Sequence, residues 1–503
     1  MAEQGEQVVI AELMQSSGVK FGTSGARGLA DDMTDRVCYA YTAGFLQYLA
    51  SIGDIEAGGR VAIAGDFRPS TPRIMNAVAM AVVDGGCQPV NCGFIPTPAV
   101  ASYAMASGIP SIMVTGSHIP DDRNGIKYYK SSGEILKHDE QALSARQVWI
   151  SAGHFDAAGQ SVSAGLLPPV DDAAARAYVA RYLYFFPADC LSGLKIGIYQ
   201  HSTVARDMLA EVMRGLGAEV ICLGRSKTFI PVDTEAIRPE DVQLAAEWAG
   251  EYGFDCIVSA DGDGDRPLVS DEHGQWLRGD VAGVLCARYL GAKCVATPVS
   301  CNSAVEKCGW FKRIERTRIG SPYVIEAMDA AIADGAANVI GYEANGGFLT
   351  ATDIALAGYV LRALPTRDAM IVPLSILMLA KAEERTVAGL LATLPQRFTC
   401  SDRLKNFPTE LSQSRLAALN TGDEAADIRA AEALLGGAFG SVASIDVTDG
   451  IRITFASDEV AHLRPSGNAP ELRCYNEADS ARRAAEMNSI CLTILASWQE
   501  SAS

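Results

Sequence analysis

Basic residues are scarce in this chain. Its 503 residues carry 42 Lys and Arg against 60 Asp and Glu, a formal net charge of −18. Nucleic-acid binding draws on clustered Lys and Arg, so a nucleic-acid partner is excluded as the chain's main business. A chain this acidic binds an anion only where a few Arg side chains and backbone N–H groups are gathered into a pocket; elsewhere the charge serves solubility. Long hydrophobic runs are missing too. The longest, residues 369–380, is too short to cross a bilayer and ends at Lys381, so no membrane partner is expected. The first residues, MAEQGEQVVIAELMQ, lack the basic-then-apolar layout of a secretory signal. No two of the 13 Cys form a CxxC pair. That argues against a disulfide framework or a structural zinc site and makes the cytoplasm the expected location.

What is present is an ordinary globular balance, 49% apolar and 20% charged. At ~100–200 residues per domain, the length predicts three or four domains. Short continuous apolar runs recur, each followed by Gly and polar residues and then an Ala-rich segment with helical spacing. They include RVAIAGDFRPS (60–70), PSIMVTGSHIP (110–120), LKIGIYQHST (194–203), FDCIVSADGDGDR (254–266), KCVATPVSCNS (293–303) and ANVIGYEANGG (337–347). Continuous rather than alternating runs predict strands covered on both faces, in a mostly parallel α/β sheet. DDAAARAYVARYL (171–183) and PEDVQLAAEWAGEYG (239–253) supply intervening helices. Residues 440–476 alternate like antiparallel strands and lead into an Ala-rich helix. The expected fold is three tandem α/β domains with mixed, mostly parallel sheets (1–160, 161–268, 269–390) and a C-terminal α+β domain (391–503). No internal sequence repeat is evident, only a repeated kind of unit.

Ligands of open α/β sheets gather outside the carboxyl ends of the strands, and the unusual polar loops stand there. Asp261, Asp263 and Asp265 alternate with Gly262 and Gly264 directly after an apolar run. Three carboxylates so spaced repel one another unless a cation sits among them, and hard oxygen ligands suit Mg²⁺ or Ca²⁺. Glu272 falls at the twelfth position of an EF-hand loop, but Arg266 stands where that loop needs Gly and a strand precedes it, so an EF-hand is rejected. A phosphatase with an aspartate nucleophile stays open on this loop alone. Ser117, in Thr115-Gly116-Ser117-His118-Ile119-Pro120, is projected from the end of a buried strand. His118 is a poor base for it, since adjacent side chains rarely face each other. A serine that itself carries phosphate needs instead a metal to take the charge, which the Asp loop supplies. The loop from His462 to Pro470, with Arg464, Ser466, Gly467 and Asn468, has the composition of a phosphate clamp. Residues 21–28, FGTSGARG, pair backbone donors with Arg27 in the same way.

Taken in order, these segments resemble the α-D-phosphohexomutase family. FGTSGARG resembles its N-terminal signature, and TGSHIPDDRNGIK (115–127) its phosphoserine loop, usually TASHNP followed by NGxK. DGDGDR (261–266) is similar to its metal loop, GYEANGG (341–347) to its sugar loop, and RPSGNAPELR (464–473) to its phosphate-binding loop. The resemblance implies four domains in a heart shape around one central cleft. It implies a phosphoserine at Ser117 that exchanges phosphate with a hexose monophosphate through a bound 1,6-bisphosphate, and the same hexose 1,6-bisphosphate as activator. Asp261, Asp263, Asp265 and Ser117 would hold Mg²⁺. Lys127 and Arg266 lie at positions associated with proton transfer and charge stabilisation, His118 adjoins the serine, and Arg27 would orient the phosphate and sugar. Glu343 and Asn345 would bind the sugar, and Arg464, Ser466, Gly467 and Asn468 its distal phosphate.

Three departures bear on the substrate. Gly116 and Ile119 replace the commoner Ala and Asn. The usual Glu-x-Ser-Gly-His of the sugar loop becomes Glu343-Ala344-Asn345-Gly346-Gly347, which keeps the Glu and loses the His. RIGSPYVIEAM (318–328) resembles the amino-sugar branch. The expected activity is interconversion of hexose 1- and 6-phosphates, mannose or glucose first. The alternatives are a phosphoglucosamine mutase, a metal-dependent sugar phosphatase or a non-catalytic phosphosugar sensor. The oligomeric state is not legible.

Overall fold

A computed structural model describes residues 5–22, 25–163, 165–466 and 470–500. The apolar runs form the central strands Arg60–Gly65, Ser111–Val114, Lys195–Tyr199, Cys256–Ala260, Cys294–Pro298 and Val339–Tyr342, almost wholly buried. The Ala-rich segments form the helices Ala173–Phe185 and Pro239–Tyr252, as expected.

The same topology occurs three times. In the first sheet Gln88–Gly93, Arg60–Gly65, Ser111–Val114 and Arg123–Lys130 lie side by side. The second follows with Glu219–Leu223, Lys195–Tyr199, Cys256–Ala260 and Pro267–Val269, and the third with Arg313–Thr317, Cys294–Pro298, Val339–Tyr342 and Phe348–Thr350. Each time the first three strands are parallel and the fourth turns back antiparallel on the third. The hairpin loop between third and fourth strands therefore always emerges at the carboxyl end of a buried strand. In the first unit it holds Ser117, in the second Asp261–Arg266, in the third Glu343–Gly347.

The first sheet is less parallel than the runs alone suggest. Ala26–Leu29 and Lys20–Phe21 extend it with antiparallel pairs beyond Arg123–Lys130. The boundaries expected at 268 and 390 each fall inside an element, Pro267–Val269 and the helix Val387–Leu391. The first is displaced because Pro267–Val269 pairs back onto Cys256–Ala260 and so belongs to the second sheet.

One hydrophobic core runs through all three α/β units, including the helix Ile371–Ala382 that forms most of the longest apolar run. That helix spans about 18 Å at 1.5 Å per residue, and no described helix is long and apolar enough to cross a membrane. The C-terminal part has a core of its own, an antiparallel five-stranded sheet packed on the helices Thr409–Ala417 and Ala481–Glu500. Its fourth and fifth strands in chain order, Val460–Pro465 and Glu471–Ala478, are joined by the expected phosphate loop. Glu477 ties this sheet to the third unit by accepting from Ser303 N and Arg397 Nε, at 3.0 and 2.6 Å.

Candidate active site

Ser117 has φ +56°, left-handed backbone that non-glycine residues rarely adopt. Its hydroxyl donates to Asp261 Oδ2 at 2.6 Å, across the seam between the first two units. The turn also brings Oγ to 3.4 Å from Nδ1 of His118, so these neighbours do face each other, contrary to the expectation from their adjacency. Burial, then the positive charges of Arg266 and Arg27, push the His118 imidazole well below its ordinary pKa, which leaves the ring neutral.

The serine loop is wrapped around a guanidinium that the motif reading missed. Arg68 donates from Nη1 to the carbonyls of Pro120 and Arg123 (2.5 and 3.0 Å), and from Nη2 to those of Ser117 and Ile119 (2.8 and 2.5 Å). Its Nε pairs with Asp66 Oδ2 at 3.0 Å, both side chains fully buried, and it stacks over the Phe229 ring of the second unit, 4.1 Å from the centroid. A Cβ on Gly116 would stand 2.7 Å from Arg68 Cζ, so glycine in place of the commoner alanine makes room for the guanidinium. The available signal was position: Asp66 and Arg68 follow the apolar run Arg60–Gly65 at the same strand end as the other polar loops. Arg68→Lys keeps the charge but loses the planar fork. We expect kcat per folded molecule to fall about ten- to a hundredfold, the worth of one or two charge-assisted contacts, with KM little changed. Steady-state kinetics beside thermal unfolding checks this; a loss matched by the unfolded fraction alone contradicts it.

The three aspartates converge as expected. Asp261, Asp263 and Asp265 are buried and each offers an oxygen within 4.8 Å of the others. Both glycines between them are required. Gly264 has φ +68°, and a Cβ on Gly262 would stand 2.8 Å from the carbonyl oxygen of Ser117. Lys127 Nζ bridges Asp263 Oδ2 and Asp265 Oδ2 at 2.7 and 2.6 Å, and Thr97 Oγ1 donates to Asp263 Oδ2 at 2.6 Å. Asp261 Oδ1 accepts from the backbone of Asp265 and Arg266. Asp263 Oδ1 and Asp265 Oδ1 are buried with no partner, and Arg266 Nε comes no nearer than 3.8 Å to the latter. Buried carboxylate oxygens left unpaired are costly. A hard divalent cation is the group this donor set fits.

The charges divide accordingly. Burial, reinforced by the carboxylates of Asp263 and Asp265, pushes the Asp261 carboxyl well above its usual range. At Asp263 burial acts in the same direction, but the Lys127 charge and hydrogen bonds outweigh it and hold the group below its usual range. Lys127 is raised although burial opposes it, through Asp263 and Asp265. Arg27 stands within electrostatic reach of Arg266, Asp263 and Asp265.

The sugar loop reaches the same centre. Glu343 is buried and accepts from Arg367 Nε, a contact absent from the sequence reading. Asn345 is also buried, but its Oδ1 is taken by the backbone N–H of Gly347 at 2.9 Å, and its carbonyl by Thr234 Oγ1 at 2.6 Å. In the C-terminal sheet Arg464 Nε pairs with Asp449 Oδ1 at 2.9 Å, while Asp449 Oδ2 accepts from Ile319 N of the third unit. Arg473 lies directly across the ladder from Arg464. Ser466 is buried beside them; Gly467 and Asn468 lie outside the described residues. Glu272, the EF-hand coincidence, accepts from Ala388 N, away from the aspartates.

A serine hydrogen-bonded to a buried carboxylate triad, beneath a ring of cations and at the ends of three repeated α/β units, defines a phosphohexomutase, an enzyme that isomerises hexose phosphates. Four segments match the domain descriptions "Phosphoglucomutase/phosphomannomutase, alpha/beta/alpha domain I" (residues 18–147), II (178–274) and III (278–398) and "C-terminal domain" (411–490). The chain belongs to the phosphoglucomutase/phosphomannomutase family. It is 43% identical over 478 residues to a phosphomannomutase from Sinorhizobium fredii, covering 95% of this chain and 99% of that one. Against a phosphomannomutase from Salmonella muenchen identity is 44%, with 93% and 94% covered. A phosphoglucosamine mutase from Paracoccus denitrificans is 33% identical over 62% of this chain and 70% of its own. A crystal structure of a phosphoglucomutase/phosphomannomutase family protein from Burkholderia thailandensis superposes with TM-score 0.70 at 20% identity, covering 95% and 97%.

Proposed function

We propose that this mutase interconverts mannose 1-phosphate and mannose 6-phosphate, accepts the glucose phosphates as well, and works through phosphate carried on Ser117 and a bound hexose 1,6-bisphosphate. The observation that carries the reading is the Ser117 hydroxyl bonded to Asp261 at 2.6 Å beside two carboxylate oxygens that lack partners. The identity to the two phosphomannomutases favours mannose over glucosamine. The three aspartates and a serine phosphate oxygen would hold Mg²⁺, which supplies a Lewis acid for the charge of the transferring phosphate.

The remaining steps belong to the side chains. Lys127, pinned between Asp263 and Asp265, keeps its proton close to Ser117 and steadies the leaving oxygen. Arg266 and Arg27 lay positive charge over the transferring group. Glu343 accepts from sugar hydroxyls. Hexose 1,6-bisphosphate restores the phosphate on Ser117 whenever it is lost, which makes it the activator. A cytoplasmic site of action is supported by the free state of all 13 Cys.

A coupled assay with mannose 1-phosphate, glucose 1-phosphate and glucosamine 1-phosphate tests the reading. Formation of the 6-phosphate isomers of the first two supports it. Release of free phosphate would identify a phosphatase, and no product from any sugar a sensor.

The two substrates must bind in opposite orientations, so their distal phosphates fall on one clamp, for which Arg464, Ser466, Gly467 and Asn468 are proposed. Asp449 fixes Arg464 through Nε and leaves both Nη groups for phosphate. Arg464→Ala should lower kcat/KM for both substrates by about ten- to a hundredfold, roughly 1.5–3 kcal/mol for a charge-assisted contact. Steady-state rates in both directions check this; impairment in one direction only contradicts a shared clamp.

A further inference from the structure

The sugar loop ends on Gly347 where the family usually has His. A Cβ placed on Gly347 would stand 2.5 Å from Cδ and 2.7 Å from Cγ of Arg367. The space for any side chain at 347 is therefore occupied by Arg367, which enters from a loop some twenty residues further along the chain. Arg367 is 3% exposed. Its Nε is held by Glu343, and its Nη1 lies 3.8 Å from Asp265 Oδ2 in the metal loop. Neither Nη nitrogen has a hydrogen-bond acceptor among the described residues.

We propose that Arg367 has taken the place of the sugar-loop histidine and determines which hexose phosphates the site accepts. The inference deepens the proposed mutase reading and rests on it. Paired on one edge, Glu343 accepts from a ring hydroxyl while the Nη groups of Arg367 donate to the oxygen of its neighbour. The pair thus recognises vicinal hydroxyls on an uncharged hexose. An imidazole can lose its charge near neutral pH, whereas a guanidinium cannot. A hexosamine phosphate brings an ammonium group on its ring into the reach of that fixed positive charge, and like charges brought together in a closed site are strongly disfavoured. Arg367 therefore selects for hydroxylated sugars and against amino sugars.

The test compares kcat/KM for mannose 1-phosphate and glucosamine 1-phosphate in the wild type, Arg367→Gln, Gly347→His and the double variant Gly347→His/Arg367→Gly. Arg367→Gln should lower the mannose-to-glucosamine ratio by about tenfold or more, the scale of one lost charge discrimination. Gly347→His alone should lose activity on both sugars through collision with Arg367. The double variant should recover turnover relative to that single change. An unchanged ratio in Arg367→Gln, with all sugars slowed alike, would reduce Arg367 to a support for Glu343 and overturn the proposal. If Arg367→Gln fails to fold, the double variant decides: recovery sustains the exchange of places, and activity no better than Gly347→His overturns it. A wild type that isomerises neither sugar would instead overturn the mutase reading.

Discussion

Ser117→Ala should abolish isomerisation, with kcat down about a thousandfold or more, as expected when the nucleophile of a covalent mechanism is removed. The loss amounts to about 4 kcal/mol of transition-state stabilisation or more. Folding should survive. Alanine at φ +56° is no worse placed than the serine already there, and the one hydrogen bond lost is that to Asp261. Incubation with glucose 1,6-bisphosphate followed by intact-mass analysis should add one phosphate to the wild type and none to the variant. Near-wild-type turnover by Ser117→Ala would remove the phosphoserine from the account.

The second large effect is at the metal. Asp263→Asn preserves shape but removes one negative ligand, and its amide oxygen can still accept from Thr97. Lys127 keeps its partner Asp265 at 2.6 Å. Tm should therefore change little, while kcat falls about a hundredfold or more through loss of a ligand to the catalytic cation. Dialysis against EDTA should silence the wild type and Mg²⁺ should restore it. Zn²⁺ should bind more tightly yet support less turnover, because its preferred geometry differs. Full activity after thorough EDTA treatment would contradict a catalytic metal at this loop.

Much of this was legible in the chain because strand and loop chemistry are local. Cys256–Ala260 is a continuous apolar run, and the DGDGDR that follows it has nowhere to go but the strand end. The threefold repetition of topology was hidden, because it lies in connectivity and in one strand reversing direction. Nothing in the residues of Pro267–Val269 or Phe348–Thr350 announces an antiparallel return. Arg68 and Arg367 were missed for a related reason. Each acts on a loop distant in sequence, Arg68 on residues 117–123 and Arg367 on Glu343 and Gly347. Gly116 and Gly347 were the visible traces of both. Each marks a place where another element has moved in, which a single sequence shows only as a missing side chain. The contact between Ser117 and His118 was misjudged because a positive φ at serine is not written in its neighbours.

The central claim is that phosphate moves from Ser117 to the sugar and back. Enzyme carrying radiolabelled phosphate on Ser117, mixed with unlabelled mannose 1-phosphate and quenched within one turnover, tests it most directly. The account predicts that label leaves the protein at the rate of isomerisation and appears in hexose bisphosphate and mannose 6-phosphate. Label that stays on Ser117 while mannose 6-phosphate accumulates, or that appears only as inorganic phosphate, would contradict it.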